Sequence, residues 1–286
     1  MKKIFLKRLM LAALSVTILA SVVGCGASTD DKDKSGDGSA EGSSGGKLQE
    51  IIDKGKIVIG VYPPGEPQCF YDDKGNLMGL DIDWANKLAE TIGVDVEFVE
   101  VNGENRISMV TTGRVDVIIA NTTGNLERAK SINFSIPYLK TGIKLGVRKG
   151  LDEVQEISDL NDPKYTIAAE SGTTSEELAL QYAPNANIIY QQNLSDCLLS
   201  IQEGKADAMM HDGTSIDYAA SQDDYLESRP TIYTSDPICI GYAKGDADFG
   251  RYLDMFVSTM ITNGFEEETY DKWFGTVPTG ELQVLY

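Results

Sequence analysis

The stretch GRVDVIIANTTGNLERAKSINFSIPY, residues 113–138, decides how this chain is read. An apolar run, Val115, Val117, Ile118, Ile119 and Ala120, ends in Asn121-Thr122-Thr123. A short apolar run bounded by polar turn formers is the pattern of a buried strand. Arg128 follows in what the spacing predicts as the opening turn of a helix. The strand would therefore deliver backbone groups and hydroxyls to a cleft, with a guanidinium close by. A helix N-terminus already favours anions through its free N–H groups and its dipole. An Arg placed there is unfavourable until an anion occupies the site. Its planar fork suits a carboxylate, which accepts two parallel hydrogen bonds.

Outward from this stretch, strands and helices alternate. Lys56 to Val61 reads as a buried strand, followed by a Pro/Gly loop from Tyr62 to Gln68 and a turn at Asp72-Asp73-Lys74-Gly75. Trp84, Leu88 and Ile92 recur at helical spacing up to Gly93, and Val94 to Val101 alternates as a strand. Asn105-Arg106-Ile107 opens another helix, which Gly113 ends. The pattern then repeats. Tyr165 to Ala169 is a strand, Ser171 to Glu176 starts a helix with good capping chemistry, and Ile188 to Tyr190 is a strand. Asn193 to Glu203 is a helix, and Ala206 to Met210 is a strand that empties into His211-Asp212-Gly213. Phe249 to Asn263 is helical, with a short aromatic turn from Tyr270 to Phe274. Such alternation implies βαβ units and parallel sheets.

The first residues have another purpose. Lys2, Lys3, Lys7 and Arg8 precede an apolar core from Leu9 to Ala20, the pattern of a secretory signal. Ser21-Val22-Val23-Gly24-Cys25 then resembles a bacterial lipobox, which implies cleavage before Cys25 and a lipid on its sulfur. Residues 26–46 are rich in Gly, Ser and Asp and cannot bury a core, so a flexible tether spanning roughly 25 Å is expected. The formal charge of -19 falls to near -23 once the four positive charges of the signal are removed. That acidity argues against nucleic acid and against adhesion to anionic lipid. Cys69, Cys197 and Cys239 are far apart with no metal-ligand spacing, and buried free thiols are expected. No metal and no cofactor is called for, since no P-loop, zinc or Ser-His motif appears.

The quoted stretch also resembles the extracellular solute-binding proteins that serve ABC importers of polar amino acids. Asp116, Ala120, Thr123, Glu127 and Arg128 match a D-x-x-x-A-x-x-T-x-x-x-E-R pattern, and Asn133 to Tyr138 matches N-F-S-x-P-Y. The resemblance runs from about residue 47 to 275. It implies a two-lobed α/β protein of the type 2 periplasmic-binding fold, each lobe a mainly parallel sheet flanked by helices, with a ligand cleft between the lobes. The implied organisation is signal 1–24, lipidated Cys25 with its tether 25–46, one lobe from 47–140 plus 239–286, and a second lobe 141–238. The implied partners are a free amino acid, the permease subunits of an ABC transporter, and the bacterial cell membrane through the lipid alone. A monomer outside the cytoplasm is expected.

A zwitterionic ligand needs an anion site and a cation site a few ångströms apart. Arg128, Thr123 and Asn121 are expected to hold the α-carboxylate, with further donors from the helix start at Thr173 and Thr174. Asp212 follows a buried strand, where ligands bind in such sheets, and Ala206, Asp207, Ala208 and Asp212 fit the family's A-D-A-x-x-x-D. Asp212 is therefore the expected ammonium partner, and His211 a wall of the pocket. Tyr62 stands near the family's first selectivity position. Glu104-Asn105-Arg106 resembles a variant seen in glutamate and aspartate binders, so Arg106 would meet a side-chain carboxylate or amide. Glu66, should it enter the pocket, would favour cationic or neutral ligands. Two other functions share the architecture: a ligand-sensing adaptor for a membrane receptor, and a dehydratase-like enzyme using Glu170, His211 or Glu66 as its acid or base.

Overall fold

The computed structural model describes residues 46–276 and Leu282. The signal, Cys25 and all of the tether but Gly46 lie outside the described residues. The first part of the chain supplies helix α1 (Lys47–Lys54), strand β1 (Lys56–Val61), the hairpin β2 (Phe70–Tyr71) and β3 (Leu77–Met78), and helix α2 (Leu80–Ile92). Strand β4 (Asp95–Glu100), helix α3 (Arg106–Thr111), β5 (Val117–Ile118) and β6 (Asn133–Thr141) follow. At Gly142 the chain passes into a second sheet: β7 (Ile143–Arg148), β8 (Thr166–Glu170), α4 (Thr174–Tyr182), β9 (Asn187–Gln191), α5 (Leu194–Gln202), β10 (Ala208–Asp212), α6 (Gly213–Gln222) and β11 (Leu226–Ile232). Tyr233–Ser235 carry it back to β12 (Asp236–Tyr242), α7 (Ala247–Thr262) and α8 (Phe265–Phe274).

Two five-stranded sheets result, in the orders β4-β1-β5-β12-β6 and β11-β7-β10-β8-β9. In each, the strands joined by crossover helices run parallel: β1 with β4 and β5, and β8 with β9 and β10. The strands around the two passages run antiparallel, β12 with β5 and β6, and β7 with β10 and β11. The sheets are thus mixed. The returning strands pair with partners far away in sequence, a relation that local periodicity does not carry. The passages lie side by side, with Thr234 Oγ1 accepting a hydrogen bond from Ile143 N at 2.8 Å and Ile143 O one from Tyr233 N at 2.9 Å.

Both faces of both sheets are covered, so the central strands are apolar on both sides. On one face of the first sheet Trp84 is fully buried, its ring 5.1 Å from that of Tyr138 and 5.9 Å from that of Phe256. Trp84→Ala would cost about 3–5 kcal/mol of stability through the cavity it leaves. Tyr62, Val110, Ile118 and Ile132 pack on the other face. In the second lobe, Leu145, Ile157 and Met210 fill one face, while Cys197, Ile201, Met209 and Ile216 fill the other. The helices start where short polar side chains accept a free N–H. Thr173, Asn193 and Asp246 cap α4, α5 and α7 in this way. Gly93 ends α2 in the left-handed conformation, its N–H reaching back to Ala89 O and Glu90 O.

The Tyr270 to Phe274 turn is the end of a ten-residue helix, α8. The predicted helix at Arg128 is a three-residue 3₁₀ turn, Arg128–Lys130. Cys69, Cys197 and Cys239 are buried and unpaired, and burial pushes each thiol up, that of Cys239 to about 12. Among the described residues no helix is long and apolar enough to cross a membrane, and no cluster of three or more His, Cys, Asp or Glu could hold a metal ion.

Candidate functional site

The carboxyl ends of β5, β8 and β10 point into one cleft between the lobes. A cavity there is lined by Tyr62, Arg106, Asn121 and Thr123 from one lobe. Glu170, Thr173, Thr174, Ser175, His211 and Asp212 line it from the other. Seven of the ten residues predicted from sequence to meet the ligand thus converge: Tyr62, Arg106, Asn121, Thr123, Thr173, Thr174 and Asp212. His211 is an eighth, as part of the wall.

The first lobe's side of the cavity is tied down. Asp81, the second residue of α2, is fully buried, and its carboxylate accepts from Asn121 N at 2.8 Å and from Tyr138 Oη at 2.7 Å. Burial pushes the Asp81 carboxyl up to about 7 despite those two donors. Asn121 has φ +44°, the one non-glycine residue at positive φ among the described residues. Asn tolerates that region better than most residues, and the buried carboxylate holds it there. Arg106 is buried at 5 % exposure, and its Nη1 donates to Ala120 O at 3.1 Å and Asn121 O at 3.4 Å. The strand-end carbonyls thereby fix one side of the guanidinium.

The second lobe presents charge. Glu170 and His211 are 2 % and 5 % exposed. Glu170 Oε2 accepts from Tyr62 Oη at 2.7 Å and lies 3.5 Å from His211 Nε2. Tyr62 Oη in turn accepts from Leu194 N at 2.9 Å. Burial and the neighbouring Glu170 drive the Tyr62 phenol well above its usual value. Burial opposes a charge on His211, but its contacts with Glu170 and Asp212 outweigh burial and leave the imidazole raised. His211 Nδ1 is 3.8 Å from Asp212 Oδ2, which accepts from Asn121 Nδ2 at 2.8 Å across the cleft.

Four buried polar side-chain atoms lack a hydrogen-bond partner among the described residues, and three of them are Arg106 Nε, Asn121 Oδ1 and His211 Nδ1. Leaving such groups unpaired costs about 1–3 kcal/mol each. That their three residues line one cavity marks a place built to be completed by something polar.

Two predicted residues are not among those that line the cavity. Arg128 is half-buried at the edge of the cavity, against the lining residue Thr123. Its Nη1 donates to Thr123 O at 3.0 Å and its Nη2 to Gly172 O of the other lobe at 3.2 Å. Burial, then the nearby Arg106, lowers its pKa to about 10. Because its helix is a short 3₁₀ turn, the argument from a helix N-terminus does not apply to it. Glu66 is exposed and lies by Leu194, Tyr218 and Asp223 in a separate depression, so the structure does not bring it to the cavity. Glu170 and Ser175 are the lining residues the sequence reading left out of the ligand site. Glu170 ends an apolar strand just before a capping run, and that position was the available signal.

The lobes meet closely at two glycines. A Cβ on Gly103 would come within 2.4 Å of Ser171 O, and one on Gly172 within 2.7 Å of Gly103 O. Gln68 and Thr214 also join the lobes, the side-chain oxygen of Gln68 accepting a hydrogen bond from Thr214 Oγ1 at 2.9 Å.

Residues 57–276 match the bacterial extracellular solute-binding proteins, family 3. The chain is 28% identical over 284 residues to the ABC transporter glutamine-binding protein GlnH of Bacillus subtilis (strain 168), covering 97% of this chain and 99% of that protein. It is 26% identical to the glutamate/aspartate import solute-binding protein of Escherichia coli (strain K12), over 85% of each chain. Among solved structures, the ancestral amino acid-binding protein AncCDT-1, described as a precursor of cyclohexadienyl dehydratase, superposes with a TM-score of 0.76 at 32% identity. That match covers 79% of this chain and 99% of that one.

Proposed function

Because this chain belongs to the bacterial extracellular solute-binding proteins of family 3, we propose that it captures a polar L-amino acid, acidic or amide, by closing its lobes and delivers it to an ABC importer. Its fold is the type 2 periplasmic-binding fold, and its relatives are amino-acid-binding proteins of ABC transporters. The family works outside the cytoplasm. The carrying observation is the convergence of three unpaired buried polar atoms on a cavity that both lobes line.

In this reading Thr123 and the free N–H groups at the start of α4 receive the α-carboxylate, and Arg128 at the rim adds positive charge. Asp212 and Asn121 Oδ1 receive the ammonium. Tyr62, Arg106, Glu170 and His211 meet the side chain. Hinge closure about the paired passages brings the two half-sites together. We further propose that Cys25 carries the lipid that holds the protein, as a monomer, at the cell membrane.

A panel of amino acids tested by thermal shift, on protein unfolded and refolded to strip carried-over ligand, checks the reading. A ligand that binds the folded form alone raises the melting temperature by mass action. A rise with a polar amino acid is expected, and a flat panel would sink the proposal. A dehydratase reading draws on one observation, the buried Glu170 beside the cavity. Recovery of the ligand unchanged after prolonged incubation is the result expected of a receptor.

A further inference from the structure

Two side chains with opposite hydrogen-bonding needs enclose the inner end of the cavity. Arg106 spends Nη1 on the carbonyls of Ala120 and Asn121, and its Nε is buried without a partner. A guanidinium has no acceptor, so this free edge can be answered only by a ligand oxygen. A carbonyl and a carboxylate both satisfy it. Arg106 alone therefore cannot tell an amide side chain from an acid.

Glu170 can. Its Oε2 is taken by Tyr62 Oη at 2.7 Å, with His211 Nε2 at 3.5 Å. No described residue donates a hydrogen bond to its Oε1, which faces Gly103, where a Cβ would come within 3.2 Å. An ionised carboxylate is acceptor-only. A ligand –NH₂ brings a donor to it, whereas a ligand carboxylate brings a second acceptor and a like charge into a low-dielectric site. A site built to hydrogen-bond one group rejects the isostere that cannot answer it, because its buried polar atoms are left unpaired. A cationic side chain would suit Glu170 but would face the Arg106 guanidinium. A primary amide answers both walls, with its oxygen on Arg106 and its nitrogen on Glu170.

We propose that Glu170 is the specificity-determining residue of this site and that, with Arg106, it selects an amide amino acid, glutamine or asparagine, over the corresponding acid. The assignment rests on the amino-acid-receptor reading above. Its discriminating element is repulsive as much as attractive, the usual means by which near-isosteres are separated.

Calorimetric titrations of the refolded protein with L-glutamine, L-asparagine, L-glutamate, L-aspartate and L-arginine at pH 7.5 test it, in wild type and in Glu170→Gln. The wild type should bind one of the amides at least tenfold tighter than its acid and tighter than arginine. Glu170→Gln should shrink the amide-to-acid ratio at least fivefold, mainly by improving the acid. A wild type that prefers the acid or arginine overturns the assignment, as does an unchanged ratio in the variant. The wild-type ranking decides alone should the variant fail to fold. Heat with none of the five would overturn the receptor reading itself, an outcome distinct from binding with the wrong preference.

Discussion

At the entry of β5, Asp116 accepts a hydrogen bond from Val58 N at 2.8 Å; at the entry of β10, Asp207 accepts one from Thr166 N at 3.0 Å. Each carboxylate pins its strand to a parallel neighbour, so the two lobes begin their central strands alike. They finish them differently. The β5 end is held from below by Asp81 and from the side by Arg106, with Asn121 fixed in a left-handed conformation. The β10 end carries His211 with an unpaired Nδ1, and Asp212, which caps α6 without a side-chain bond to it. One end is a preset cradle of donors and carbonyls, and the other a supply of charge. In the proposed function the fixed geometry lies in one lobe and the carboxylates in the other, so that closure would complete the site.

The largest expected effect comes from the charged end. Asp212→Ala should weaken binding of any amino acid by at least a hundredfold, about 2.7 kcal/mol, since it leaves the ammonium without a charged partner. The melting temperature of the ligand-free protein should move little, and a variant that still binds within tenfold would remove Asp212 from the site. Closure is tested without touching either end. Gly103→Ala places a methyl within 2.4 Å of Ser171 O and 3.2 Å of Glu170 Oε1, so it should weaken binding about tenfold and blunt the amide-over-acid preference. Binding within twofold of the wild type would mean that Gly103 does not limit the approach of the lobes.

The cradle end should respond to pH. Asp81 is raised to about 7 in the folded protein, above the ordinary carboxylate value near 4. The folded state therefore binds the proton better than the unfolded state does. Its contribution to stability is fully present below about pH 4 and is lost as pH rises through about 7. Asp81→Asn should remove that dependence, so the melting temperature of the wild type should fall relative to the variant's between pH 5 and 8. Parallel melting curves over that range would contradict the role given to the buried carboxylate. The smallest effect belongs to Glu66. Glu66→Ala lies outside the cavity and should leave affinity within twofold, and a larger change would reopen the loop from Tyr62 to Gln68 as part of the site.

Much of this was legible before any coordinates. The polar residues that end apolar runs, Asn121 and Thr123 after one and Asp212 after another, fall at strand ends because turn formers follow buried strands. Capping chemistry likewise placed Thr173 at the start of α4. The antiparallel partners β6, β7, β11 and β12 were not legible, since a strand's neighbour across a hundred residues leaves no mark on local periodicity. A helix was expected at Arg128 because a three-residue turn and a helix start share the same capping residues. Glu66 was ambiguous because its loop's path follows from packing against Asp223 and Tyr218 in the other lobe. Glu170 and Asp81 were hidden for one reason: a buried carboxylate is defined by its donors, and Tyr62, Asn121 and Tyr138 come from distant elements.

We propose that an amino acid completes a site shared by the ends of β5 and β10. The most direct test is solution scattering of the refolded protein, alone and with saturating L-glutamine, alongside Asp212→Ala under the same conditions. The wild type should become measurably more compact on adding the amino acid, and the variant should not. Identical profiles for the wild type with and without ligand, in a sample shown by calorimetry to bind it, would rule out closure of the lobes on the amino acid.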